Sequence, residues 1–277
     1  RKPRSLTEHL GTGRHYNINS KSGRLHILYS DFENAEWSVY NNDLAAYEEN
    51  MECIEAVKYP YVVIAPSYMI YTQNYDELLK TCLLYTSPSP RDRNIFMDTY
   101  VMRKDLFMEL VKKGRKISSM FTLNDIVNMA CSELDVRGVS HRGFFASITD
   151  FKSYYNANLS LIDMKNAVTL FEKNWPIYTR TNDSCPTKYY EGASVKSSVI
   201  SNGCLIEGTV ENSVIGRGCV IKKGAVIKDS VILPGVVIGE DARIEAQVVD
   251  KRARIVHAKE LIADPEKPGY VRRNDTL

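Results

Sequence analysis

Six cysteines (Cys53, Cys82, Cys131, Cys185, Cys204 and Cys219) and five histidines are the side chains best suited to metal ligation or nucleophilic attack. Their spacing argues against both. No CxxC pair occurs and no His stands beside a Cys in a ligand pattern, so no metal site is expected. The thiols read as small apolar side chains in a reducing compartment. A second chemical group is the basic, aromatic opening: Arg1, Lys2, Arg4, His9, Arg14, His15, Tyr16, Lys21 and Arg24. Guanidinium forks match phosphate geometry, which makes Arg14, His15, Lys21 and Arg24 the candidates for binding a phosphorylated effector. A solvated charged surface is the other reading of the same residues.

The chain has 277 residues, 44% hydrophobic and 25% charged, with a net charge of +2. That length supports two domains, and the near-neutral, dispersed charge excludes a dedicated nucleic-acid binder. No run of about 18 apolar residues is present and no charged-then-apolar leader precedes a cleavage site, so a soluble, cytoplasmic protein is expected. The opening at Arg1, without Met, reads as a fragment whose start is missing.

Up to about Asp150, short apolar runs alternate with amphipathic stretches, the signature of α/β organisation. The run Tyr61–Ala65 predicts a buried strand, Tyr75–Lys80 the start of a helix, and Asn94–Met102 a second strand. Leu106–Lys112 and Leu123–Ala130 predict helices, Val139–Ile148 a strand pair or a strand and turn, and Ser153–Leu161 a helix. One segment breaks the pattern. Residues 82–92, centred on Ser87-Pro88-Ser89-Pro90, would interrupt either helix or strand, and they resemble the translation of a sequencing-library adapter. They are read as an artefact in a chimeric chain. The organisation is therefore a partial α/β domain over 1–170, a linker over 171–192 marked by Cys185-Pro186, and a repeat domain over 193–277.

In that last part a period of six appears. Aliphatic residues recur at Ile200, Ile206, Val214, Val220, Val226, Val231 and Val237, with glycines between them at 203, 208, 216, 218, 224, 235 and 239. Hexads such as Val214–Cys219 and Val220–Ala225 predict a left-handed parallel β-helix, with the named aliphatics pointing inward and Cys204 and Cys219 filling small core positions. The five-residue step from Val226 to Val231 and the eight-residue step from Ile206 to Val214 read as corner adjustments. Many hexapeptide β-helices are acyltransferases, but that chemistry uses a His base and a protruding loop. The only His of the region is His257, beyond the last clear coil.

Read together, the two halves resemble the ADP-glucose pyrophosphorylase (glucose-1-phosphate adenylyltransferase) family. The likeness rests on Tyr61–Ile64, Ile70–Tyr75, Tyr154–Leu159 and Asn174–Thr179. Four longer strings, Arg4–Asn19, Asn94–Tyr100, Ile200–Gly208 and Leu261–Glu266, are similar to the family's regulatory, D-type subunits. The resemblance implies an incomplete nucleotidyltransferase (Rossmann-like) domain followed by the left-handed β-helix.

It also implies where catalytic residues would stand. Joining a sugar phosphate to ATP uses carboxylates that hold Mg²⁺ against the phosphates. Where the catalytic family has a Gly-Asp pair after the Tyr61–Ile64 strand, this chain has Ser67-Tyr68. Where it has a second metal-holding Asp, this chain has Ser147, in Ala146–Asp150. The nucleotide-side motif corresponds to Asn42–Ala46 and has lost its Gly and hydroxyl. The phosphate loop would precede Arg1, and the sugar-phosphate Lys motif would fall in 82–92. The resemblance thus implies a non-catalytic regulatory subunit in glycogen biosynthesis. It carries no cofactor of its own and pairs in a heterotetramer with a catalytic subunit that uses Mg²⁺. An active adenylyltransferase with other ligands, and a stand-alone sugar-phosphate-binding module, are the alternatives.

Overall fold

The computed structural model describes residues 4–11, 13, 16, 18, 23, 25–28, 43–83, 96–117, 119–141, 143–173, 175–179 and 183–277. The chain forms two compact units: residues 1–67 with 73–142, and residues 68–72 with 143–277.

The first unit holds α1 (Arg4–Leu10), α2 (Asp43–Glu49), α3 (Met51–Glu55) and β1 (Tyr61–Ile64). The short strand β2 (Met69–Tyr71) belongs to the second unit; α4 (Tyr75–Leu83), β3 (Tyr100–Arg103), α5 (Lys104–Arg115) and α6 (Leu123–Ala130) return to the first. Strands β1 and β3 pair antiparallel, Tyr61 opposite Arg103 and Ile64 opposite Tyr100. Val62, Ile64, Tyr100 and Met102 on one face pack on a core of Leu44, Phe107, Leu110, Val111, Leu123 and Ile126. Helix α6 starts where expected because Thr122 and Asp125 form a reciprocal capping box. The strand expected over 94–102 is shorter. Residues 96–99 are irregular, Asp98 takes a left-handed φ of 46°, and β1 offers only four partners. Helix α4 runs two residues into the adapter-like segment, of which 84–92 lie outside the described residues.

The second unit contains β2, β4 (Phe145–Ser147), α7 (Phe151–Ser160), α8 (Met164–Leu170) and the coil. Of the two readings of 139–148, a strand pair or a strand and turn, the single strand holds: β4 is the one strand there among the described residues. Its partner is the distant β2, through the antiparallel register Met69↔Ser147, Ile70↔Ala146 and Tyr71↔Phe145. Thr72 Oγ1 donates to Leu170 O at 2.5 Å and ties the end of α8 beside β2.

The coil is a parallel β-helix of hexapeptide repeats, three five-stranded sheets that share their corners. Its strands run from β5 (Lys188–Tyr189) through β6 (Ser194–Lys196), β7 (Val199–Ile200), β8 (Leu205–Ile206), β9 (Thr209–Glu211) and β10 (Val214–Ile215). Next come β11 (Val220–Ile221), β12 (Val226–Lys228), β13 (Val231–Ile232), β14 (Val237–Ile238) and β15 (Arg243–Glu245). The last are β16 (Gln247–Val249), β17 (Arg254–Ile255), β18 (Glu260–Ile262) and β19 (Gly269–Val271). The strand orders are β5-β8-β11-β14-β17, β6-β9-β12-β15-β18 and β7-β10-β13-β16-β19.

Ile200 and Ile206 face the core as expected, and at the other five named rungs the inward residue is the next one along. Ile206, Ile215, Ile221, Ile227, Ile232, Ile238, Ile244 and Ile255 are fully buried, whereas Val214, Val220, Val226 and Val237 face outward and are half-buried. In each Val-Ile pair both residues are apolar, so the sequence leaves the phase ambiguous, and side chains alternate faces along a strand. Cys204 and Cys219 are buried in the core, as expected. The eight-residue step conceals β9, whose inward Val210 is flanked by polar Thr209 and Glu211.

The five-residue step is a constant feature rather than an irregularity. The corner leading into β7, β10, β13 and β16 carries a left-handed residue each time: Ser197, Asn212, Asp229 and Ala246, with φ of 43°, 44°, 45° and 50°. Beyond the first three stands a Ser, and Gln247 follows the fourth. Ser198 Oγ accepts from Ser213 N, Ser213 Oγ from Ser230 N and Ser230 Oγ from Gln247 N, at 3.0–3.1 Å. The column satisfies the buried hydroxyls, and among the described residues no buried side-chain N or O lacks a partner.

The phase of the coil is testable by denaturant unfolding. Ile227→Ala should cost about 2–5 kcal/mol, as a large-to-small change in a closed core does. Val226→Ala, one residue away but outward, should cost less than about 1.5 kcal/mol. Equal losses would contradict the register.

Candidate functional site

Tyr68 and Ser147 are 79 positions apart in sequence, yet the β2–β4 ladder makes them neighbours. Ser147 pairs with Met69, and the next backbone bond, Ile148 N to Tyr68 O at 2.7 Å, fixes Tyr68 beside the end of β4. Tyr68 sits in the turn before β2 and is 41% exposed; Ser147 is half-buried. The two residues that the resemblance puts at metal-holding places thus lie on adjacent backbone.

Neither side chain is a carboxylate. Hard divalent cations take charged oxygen ligands, and a phenol and an alcohol do not reproduce them. The nearest acid in sequence is Asp150, and it has another task. Its carboxylate accepts from Ser153 N at 2.6 Å while Ser153 Oγ accepts from Asp150 N at 3.0 Å, a capping box that starts α7. The Ser153 backbone N–H, helped by its hydroxyl, holds the Asp150 carboxyl below the usual carboxylate range. The cap therefore contributes above the ordinary carboxylate pKa and is lost as pH falls through the lowered value. The residues at 68 and 147 do not fit a divalent cation, and among the described residues no group of three or more His, Cys, Asp or Glu is placed to hold one.

Helix α7 fixes β4 in place because it is itself anchored on the coil. Tyr155 is 2% exposed, packs with Val231 and Val248, and donates its hydroxyl to Asp229 O at 2.5 Å. Phe151 meets Tyr270 edge-on at 5.7 Å, and Lys152 pairs with Glu266. The sequence marks α7 as a helix but carries no sign that its Tyr155 reaches a corner of the repeat.

The remaining site candidates divide. Arg14, His15, Lys21 and Arg24, the effector candidates, lie outside the described residues. Of the basic opening, His9 and Tyr16 are described: their rings lie 5.9 Å apart and Tyr16 OH donates to His9 O at 3.1 Å. In the nucleotide-side motif, Asn42 is outside the described residues, and Asp43–Ala46 open α2 with Leu44 and Ala45 buried in the core. A buried Leu there packs against helices instead of lining a phosphate site.

An α/β unit followed by a hexapeptide-repeat coil, with a carboxylate-free position at β2–β4, defines the class of molecule. The sequence profile of the family described as GlmU-like, C-terminal hexapeptide matches residues 186–270. Over most of its length the chain resembles two kinds of named protein. It is 27% identical over 276 residues, covering 98% of this chain and 79% of the relative, to the glycogen biosynthesis protein GlgD of Bacillus subtilis. It is 26% identical over 274 residues, covering 84% and 69%, to the glucose-1-phosphate adenylyltransferase of Clostridium perfringens. GlgD of Geobacillus stearothermophilus is 29% identical over 226 residues.

The Tyr155 anchor gives a test. Tyr155→Phe should lower stability by about 1 kcal/mol, the net worth of an ordinary hydrogen bond. Burial, then the nearby Asp229, pushes the Tyr155 hydroxyl up to about 12. The native state keeps the proton that the unfolded state gives up near pH 10, so this contribution is full below about pH 10 and is lost as pH rises toward 12. Alkaline unfolding of wild type and Tyr155→Phe, followed by near-UV circular dichroism, measures the difference.

Proposed function

We propose that this chain is a non-catalytic, regulatory subunit of glucose-1-phosphate adenylyltransferase in glycogen biosynthesis, assembled with a catalytic subunit in the cytoplasm. The observation that carries the reading is the β2–β4 ladder. It holds Tyr68 beside Ser147, the two residues that the resemblance puts at the family's metal positions. Similarity to proteins named for glycogen biosynthesis and for the adenylyltransferase supports the pathway. Mg²⁺ then belongs to the catalytic partner.

The coil offers a surface for that partner. One outer face carries an alternating charge ladder, with Lys196 beside Glu211 and Lys228 beside Glu245. The Lys228–Glu211 pair closes to 3.6 Å. A second face is covered at Val231 and Val248 by α7. The third shows Leu205, Val220 and Val237 in register, with Leu205 38% exposed. An exposed aliphatic stripe in register on a solenoid face is a natural contact for another subunit.

Two measurements test the proposal. The uninterrupted parent of this chain, purified alone with Mg²⁺, ATP and glucose 1-phosphate, should turn over at least about a thousandfold more slowly than a catalytic subunit, the loss expected when transition-state charge stabilisation is removed. Turnover at the ordinary rate would establish an active enzyme instead. Leu205→Glu should weaken co-elution with the catalytic subunit while leaving circular dichroism unchanged. Failure of the wild-type parent to co-elute would favour a stand-alone sugar-phosphate-binding module.

A further inference from the structure

Cys204 and Cys219 hold the same place on successive coils. Each precedes a strand of one sheet, at Leu205 and Val220, which are register partners, and Leu205 N–H donates to the Cys219 carbonyl at 2.9 Å. Both side chains are fully buried. Cys204 Sγ also lies 3.1 Å from Gly216 O, and Cys219 Sγ 3.3 Å from Leu233 O. Adjacent strands stand about 4.8 Å apart, inside the Cα separation that a disulfide tolerates. Later coils place Val236 and Ala253 at this position, so a thiol is not what the packing requires. Thr187 stands one coil earlier and accepts from Cys204 N at 3.2 Å. Among the described residues β5 is the last strand of this sheet on that side, so Cys204, just before β8, lies one strand from the sheet's edge.

We propose that Cys204 and Cys219 are a redox-responsive dithiol that closes into a disulfide across two coils by exchange with a small-molecule disulfide such as oxidised glutathione. The neighbouring Cys219 thiol holds the Cys204 thiol below its usual range, and Cys204 is the first nucleophile. Its sulfur attacks the glutathione disulfide, forming a mixed disulfide and releasing one glutathione thiolate. Cys219, deprotonated in turn, attacks the Cys204 sulfur of that mixed disulfide and releases the second glutathione. The protein thiols lose two electrons and two protons; one oxidised glutathione becomes two reduced ones. Access comes through local opening of the terminal coil, the part of a solenoid with a neighbour on one side only. Once formed, the bond fastens β8 to β11 and suppresses that opening.

The test incubates the folded 277-residue chain with excess oxidised glutathione, then denatures it, alkylates free thiols and digests it with trypsin. Cleavage after Arg217 separates the two cysteines, so the expected product is a cross-linked pair of peptides that dithiothreitol resolves. The oxidised chain should also melt about 5 °C higher than the reduced one, the gain a short closed loop confers on a domain of this size. Recovery of Cys204 and Cys219 as alkylated peptides, while exposed Cys53, Cys131 and Cys185 carry glutathione, would overturn the proposal. So would a disulfide joining either residue to a different cysteine, or a Cys204–Cys219 bond with no change in melting temperature.

Discussion

The tight corner of the coil is the constraint from which the second unit is built. Two residues turn the chain between β9 and β10 and again between β12 and β13, and the first of them takes a left-handed conformation. Asn212 and Asp229 adopt that conformation at low cost because their short polar side chains bond locally, and here they also bond each other. The Ser after each ties its hydroxyl to the backbone one coil away. Such a corner spaces most coils 17 residues apart, as Ser213 and Ser230 are, and turns the Asp229 carbonyl outward. Tyr155 uses that carbonyl to anchor α7, α7 follows directly on β4, and β4 fixes β2. The placement of Tyr68 beside Ser147 thus depends on a turn in the repeat.

That dependence bears on the proposed function. On that reading the β2–β4 ladder is the family's scaffold kept without its metal-holding carboxylates. The one acid close by in sequence, Asp150, serves the start of α7.

The three outer faces of the coil express the same division of labour. Charge of alternating sign suits water on one, Tyr154, Tyr155 and Leu159 meet the second, and the third keeps an uncovered aliphatic stripe. Inside, the faces are alike: a continuous stack of Ile and Val whose small corner neighbours are Cys204, Cys219, Ala225, Val236, Ala242 and Ala253. The core is thus alike on all three sides, whereas the outer surface differs from side to side.

Much of this was legible from residues alone. A six-residue period with glycines between hexads determines a β-helix because no other fold buries such a pattern, and the helices at 104–115, 123–130 and 151–160 follow from apolar spacing and caps. The likeness to the adenylyltransferases was also visible in sequence. Tertiary structure decided the rest. It chose which residue of each Val-Ile pair points inward, since two adjacent apolar side chains carry no phase and only stacking against the neighbouring coil selects one. It found a strand at 209–211 that polar flanks conceal. It paired β2 with β4 across a long stretch of chain, because strand partners are set by three-dimensional proximity that no local pattern encodes. The same proximity brought Tyr68 to Ser147 and Cys204 to Cys219.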